Sequence, residues 1–167
     1  MLDIFDLIAQ VETGRNFEAM RFEDGVYARI VANRTDAQKV IIANIIKANG
    51  GQFGCSWHTA LMIFSTSFGA AQIMGFNLYG RVCGFPGSVI DFMRPGQGAI
   101  VNVIAESCQR VIFSHLLQSM NLGGATPENL AGSAALRKAF AVEYNGSPAY
   151  ADAIILALEH FQIPVIK

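Results

Sequence analysis

Ser65-Thr66-Ser67-Phe68-Gly69-Ala70-Ala71-Gln72-Ile73-Met74-Gly75 lies inside residues 48 to 80, a region with no Asp, Glu, Lys or Arg. The run from Trp57 to Phe76 is mostly apolar and long enough to span a bilayer. Against a span stand His58, Gln72, the Ser65-Thr66-Ser67 cluster and Gly69, and no basic cluster closes its far end. The pattern therefore predicts a buried helix over 56–64, a turn over 65–69 and a second short helix over 70–79. A small membrane protein spanned by residues 57 to 76 is the minor alternative. Gln72, an amide in an uncharged stretch, is expected to shape a site or to bind within it.

Helical patterning continues on both sides. Asp3 to Glu12 places Ile4, Ile8 and Val11 on one face, and Gly14 is a stop signal just beyond. Between Phe17 and Arg29 the period changes to two, and Asp24-Gly25 signals a tight turn, so a small β-hairpin is expected there. Thr35 and Gln38 form a capping box for a helix that ends at Gly50-Gly51. Gly84 to Gly87 reads as a loop, and Gly87 to Met93 as two helical turns ahead of Pro95-Gly96. A long helix over Ala99 to Met120 follows, with Val111 and His115 on its apolar stripe. Thr126-Pro127 opens a helix that runs to Asn145-Gly146, and Ser147-Pro148 opens the last one. The fold class is mainly α with a small β-hairpin excursion.

The chain has 167 residues, which suits a single domain over 1–167. At 52% hydrophobic and 15% charged it excludes intrinsic disorder. Twelve basic and 13 acidic residues leave a net charge of -1, which argues against a nucleic-acid partner. Cys55, Cys83 and Cys108 make neither a disulfide framework nor, with three scattered histidines, a structural zinc spacing. No basic n-region precedes an apolar segment at the N-terminus, so the expected location is cytoplasmic until release.

Glu12 is the first candidate for chemistry. It follows Ile8 by one turn and adjoins Val11, at the edge of the apolar face where a helix ends. A carboxyl so placed is partly desolvated, and burial raises its pKa toward the range a general acid needs. The plain alternative is a helix-end glutamate in solvent or in a salt bridge.

Three segments in order carry a resemblance. Gln10-Val11-Glu12-Thr13-Gly14 with Phe17, the Ser67-to-Gly75 run, and Tyr144-Asn145-Gly146 resemble segments of goose-type lysozymes and lytic transglycosylases. More narrowly, the chain is similar to the N-acetylmuramidase domain of phage and bacterial endolysins. That family carries V-E-x-G-x-x-F, L-F-E-R-H, S-W-G-x-x-Q-I-M-G-x-N and Y-N-G-x-x-Y. Here they read Val11-Glu12-Thr13-Gly14 with Phe17, Arg21-Phe22-Glu23, Ser67 through Asn77, and Tyr144-Asn145-Gly146 with Tyr150. Phe68 stands where the family has Trp, and Asp24-Gly25 where it has Arg-His.

The resemblance implies a lysozyme-like fold and cleavage of the bond between N-acetylmuramic acid and N-acetylglucosamine in peptidoglycan. It makes Glu12 the general acid and Glu23 the second carboxylate across the cleft. Ser67, Gln72, Tyr144 and Asn145 would bind substrate, with Tyr144 stacking on a sugar or orienting Glu12. The implied protein is a monomer without metal or organic cofactor. Its partners would be the glycan strands of the cell wall or periplasm, with no stable membrane insertion. Lytic transglycosylation and a catalytically inactive peptidoglycan-binding module are the alternatives.

Overall fold

A computed structural model describes residues 2–49, 55–80 and 106–166. Helix α1 (Ile4–Thr13) begins with a reciprocal capping box between Asp3 and Asp6. It ends at Gly14, whose left-handed φ of 61° lets two carbonyls of the last turn share the glycine N–H. This stop places Glu12 in the final turn. Phe5 and Leu7, which flank the expected stripe of Ile4, Ile8 and Val11, are buried together with Ile8 and Ala9.

Asp6 ties α1 to helix α6 (Glu106–Ser119). Its Oδ1 accepts from Arg110 at 2.7 Å and from Arg15 at 3.1 Å. Burial alone would raise the pKa of this carboxyl, but the Arg110 hydrogen bond, the Asp3 backbone contact and the charges of Arg110 and Arg15 hold it below its ordinary value. A depressed carboxyl stabilises the fold fully above its unfolded pKa of about 4 and less as pH falls through the folded value. Asp6→Asn should therefore cost about 2 kcal/mol at pH 7 and little at pH 2. Urea unfolding at the two pH values checks this, and an equal loss at both would contradict it.

The β structure is a three-stranded antiparallel sheet in the order β1-β2-β3. Strand β1 (Met20–Phe22) pairs with β2 (Thr66–Phe68) in the register Met20↔Phe68 and Phe22↔Thr66. Strand β3 (Ile73–Met74) closes a hairpin on β2, with Ser67 opposite Met74. Three expectations are corrected here. Asp24-Gly25 is not a hairpin turn but the start of helix α2 (Asp24–Ala32), where an acidic side chain suits the helix N-terminus. The partner of β1 comes instead from 66–68, and the Glu23 N–H extends the pairing to Ser65 O. The expected turn over 65–69 is strand β2, and the expected helix over 70–79 divides into β3 and helix α5 (Gly75–Tyr79). The real turn is 69–72, where Gly69 and Gln72 both take positive φ.

Helix α3 (Asp36–Asn49) carries the predicted capping box, with Gln38 Oε1 2.8 Å from the Thr35 N–H. Ile42 and Ile45 are buried, whereas Ala37 is exposed. Helix α4 (Trp57–Phe64) is capped by Ser56 and buries Ala60, Leu61 and Phe64 while exposing Trp57 and Met62. Along α6 the buried stripe is Ile112, Phe113, Leu116 and Leu117, and Val111 is exposed. The helix expected from Thr126 to Asn145 is two: α7 (Pro127–Gly132) and α8 (Ala134–Asn145), with Ser133 capping the second. Helix α9 (Tyr150–His160) packs along α1. Cys55 and Cys108 are free thiols. Gly50-Gly51, Cys83, the loop at 84–87, the turns at 87–93, Pro95-Gly96 and the start of the helix expected from Ala99 lie outside the described residues. Among the described residues, no helix is long and apolar enough to cross a membrane.

Candidate active site

The C-terminus of α1, the start of α2, the 69–72 turn, α5 and the C-terminus of α8 surround a cleft of about 900 Å³. Glu12, Glu23, Gln72, Tyr144 and Asn145 all line it, and Arg21 joins them. Residues separated by more than 130 positions in the chain thus meet at one surface. Ser67 does not line it.

Glu12 is half-buried, and its Oε1 accepts a hydrogen bond from the Tyr150 hydroxyl at 2.6 Å. Burial dominates its ionisation and holds its pKa above the ordinary glutamate value. The Tyr150 hydrogen bond and the Arg21 charge oppose that rise, and the Glu23 charge adds to it. Removing water disfavours the charged form more than these partners favour it. The result is a carboxyl that keeps its proton to higher pH than a surface glutamate and faces the cleft.

Glu23 occupies the position just before α2, with its carboxylate Oε1 2.5 Å from the Arg21 guanidinium Nε. Alternation along β1 puts Arg21 and Glu23 on one side of the strand, and both reach the cleft. The second carboxylate therefore carries its own cation.

The remaining predicted residues divide by what their polar atoms do. The Ser67 Oγ is buried, 2.8 Å from Gln72 Oε1 and 3.2 Å from the Arg21 carbonyl, so its single proton is used within the protein. Gln72 Nε2 donates to the Gly69 carbonyl at 2.9 Å. The pair stitches β2 to its own turn, and Gln72 presents what remains of its surface to the cleft. Tyr144 donates its hydroxyl to Ala71 O at 2.9 Å, while its ring stacks on Phe140 and meets Phe113 edge-on. It does not hydrogen-bond Glu12. Asn145 closes α8 on the cleft rim, where Gly146 takes a left-handed φ of 81°.

Two residues that the sequence reading left without a role hold this arrangement together. Tyr150 is the partner of Glu12, and the second tyrosine of Tyr144-Asn145-Gly146-Ser147-Pro148-Ala149-Tyr150 was its only trace in the sequence. Gln109, buried on α6, donates Nε2 to Phe17 O at 2.8 Å and accepts at Oε1 from Ala70 N at 2.8 Å. It clamps the loop after Glu12 to the turn that carries Gln72. A Cβ on Gly69 would collide with the Gln109 side-chain amide, which explains why that turn position lacks a side chain. Thr13 adds a hydroxyl bond to Ala70 O at 2.9 Å. Gln109→Leu, which strands both backbone groups, should destabilise the protein by about 2 kcal/mol in chemical denaturation. An unchanged midpoint would deny the clamp.

The chain is 39% identical over 160 residues to the endolysin of Enterobacteria phage PRD1, an alignment covering 96% of this chain and 97% of the relative. No family model and no solved structure matches it. An identity of that size over essentially both whole chains is a family relationship, and the chain belongs to the phage endolysins.

Proposed function

We propose that this endolysin cleaves the glycosidic bond between N-acetylmuramic acid and N-acetylglucosamine in peptidoglycan, with Glu12 as the general acid. The observation that carries the reading is the half-buried Glu12 carboxyl in a groove of glycan-binding size, its pKa raised by burial and one oxygen held by Tyr150. A protonated carboxyl near neutral pH is what a leaving sugar oxygen requires. Glu12 gives its proton to the glycosidic oxygen, the bond from that oxygen to the muramyl C1 breaks, and the sugar becomes oxocarbenium-like. Water then adds to C1 and returns a proton to a carboxylate of the cleft. Glu23, which lines the same groove, orients that water or stabilises the positive charge. Tyr144 and Asn145 line the wall on which an N-acetyl sugar rests, and Gln72 shapes the floor through its turn.

A second reading differs in the nucleophile. The Arg21 ion pair engages the Glu23 carboxylate, and this favours attack by the muramyl C6 hydroxyl, for which Glu12 alone acts first as acid and then as base. Digestion of purified peptidoglycan with products read by mass spectrometry separates the two. Reducing muropeptides mean hydrolysis, and anhydro-muropeptides, lighter by one water, mean transglycosylation. Glycan binding with no new chain ends would refute both and leave a binding module.

A further inference from the structure

Tyr150 is the first residue of α9, and its hydroxyl reaches across to α1, which α9 packs against. Its ring lies 6.0 Å from Tyr144, which is itself stacked on Phe140, and its backbone N–H is bound to Ser147 O. The hydroxyl is thus held by an aromatic cluster and a helix start rather than by a mobile loop. It is not among the residues that line the cleft, so it stands behind Glu12 as seen by a ligand.

A phenol has one proton to donate, and here it points at Glu12 Oε1 over 2.6 Å. Burial, then the neighbouring Tyr144 and Glu12, keep that phenol protonated far above any working pH. It keeps its proton through every ionisation state of Glu12. With that proton donated to Oε1, the acidic proton of Glu12 belongs on Oε2. Placing it on Oε1 would require the phenol to turn its own proton away and give up this bond to the carboxyl. When it leaves, the charge that develops on the carboxylate meets a donor already in place, and a hydrogen bond to a charged acceptor is about twice as strong as one to a neutral acceptor. That difference is felt in the transition state and not in the resting acid.

From this geometry we infer that Tyr150 is a positioning residue, assigning the acidic proton of Glu12 to Oε2 and stabilising the carboxylate left when that proton moves to the glycosidic oxygen. The inference rests on Glu12 being the acid. Other charged or titratable groups act on Glu12 or share its cleft: Arg21 and Glu23 from the β1 side, Tyr144 at the end of α8, and Glu143 on the cleft lining. None of them donates to its carboxyl among the hydrogen bonds described.

Tyr150→Phe keeps the ring and removes only the donor. It should lower kcat about tenfold, as expected for the loss of one charge-assisted bond, and leave KM unchanged. Without the donor the carboxylate is less favoured, so Glu12 holds its proton to higher pH. The alkaline limb of the kcat profile should therefore move up in pH. A merely structural role would lower kcat or the melting temperature and leave the limb in place. Carbon-13 NMR of glutamate labelled at the side-chain carboxyl, assigned with Glu12→Gln, reads the same titration in free protein without any turnover. A higher Glu12 titration midpoint in Tyr150→Phe supports the inference, and superimposable titrations overturn it. Because the NMR arm needs no substrate, it decides the matter even for a protein that releases no muropeptides, an outcome that would count against the functional reading alone.

Discussion

Glu12→Gln is expected to bind peptidoglycan and release no detectable muropeptides, with a loss of at least 10²–10⁴-fold in turnover, the range for removing a general acid. Glutamine has nearly the shape of the protonated acid, and its carbonyl oxygen accepts the Tyr150 hydroxyl as Oε1 does. It has no proton to give. The stability of the same variant makes the test stringent. Because burial raises the folded pKa of Glu12 above its unfolded value, the protonated form favours the fold at low pH, and that contribution is lost as pH rises through the folded pKa. At pH 7, where the unfolded carboxyl is ionised, the disfavoured charge of the folded one costs the protein stability that glutamine does not lose. Glu12→Gln should therefore melt at the same temperature as wild type or higher at pH 7, and this advantage should vanish at pH 3. A variant that is inactive and also less stable at pH 7 would leave the assignment of Glu12 unproved. A variant that still cuts at the wild-type rate would end it.

The position of Glu12 in the last turn of a half-buried helix was legible in the sequence because what stops α1 there is local. Gly14 stops α1 two residues later, and the apolar spacing of Ile8 and Val11 puts the carboxyl at the edge of a buried face. The same holds for the Thr35–Gln38 box and the Thr126-Pro127 helix start, whose donors and acceptors lie within four residues. The sheet was hidden because its pairing is distant. Nothing near Met20–Phe22 announces Thr66–Phe68 as its partner, so the adjacent Asp24-Gly25 was read as the turn of a local hairpin. Side chains at the site follow the same rule. Ser67 and Gln72 stood out as polar residues in an apolar stretch, but only the folded turn shows that they bind each other first. Which tyrosine serves Glu12 depends on how α9 lies on α1, and Tyr150 stands six positions beyond the Tyr144 that the motif made prominent. Arg137 left no signal at all. It is a buried guanidinium that donates to Leu130 O, Ala131 O and Ile166 O, tying the end of the chain to α7 through backbone carbonyls that have no residue-type signature.

Gly75→Ala should be the most damaging glycine-to-alanine change to stability among the described residues. Gly75 opens α5, directly after β3, at the place where this hairpin meets α4. A Cβ there would fall onto the Ile63 carbonyl oxygen, with the Ile63 carbonyl carbon 2.8 Å and Phe64 Cα 3.3 Å away. Every one of these atoms is backbone of α4, so no side chain can rotate aside, and α4 itself has to separate from α5. Phe64 is core and its ring lies 5.3 Å from that of Phe76, so the separation opens the apolar interior as well. Overpacking typically costs 1–3 kcal/mol, and a collision with immovable backbone belongs at or beyond the upper end, about 3 kcal/mol. For a chain of this length that corresponds to a fall of roughly 6–12 °C in melting temperature. Gly25→Ala is the internal comparison. Gly25 lies in α2 with nothing within 4 Å of its added Cβ, so alanine should gain about 0.5–1 kcal/mol from helix propensity. Phe76 and Asn77 of α5 line the cleft, so Gly75→Ala should also lower glycan cleavage at temperatures where the protein is still folded. Thermal denaturation of the two glycine variants beside wild type reads the contrast directly. Equal melting temperatures for Gly75→Ala and wild type would show that α4 and α5 do not meet at this glycine as closely as the fold requires.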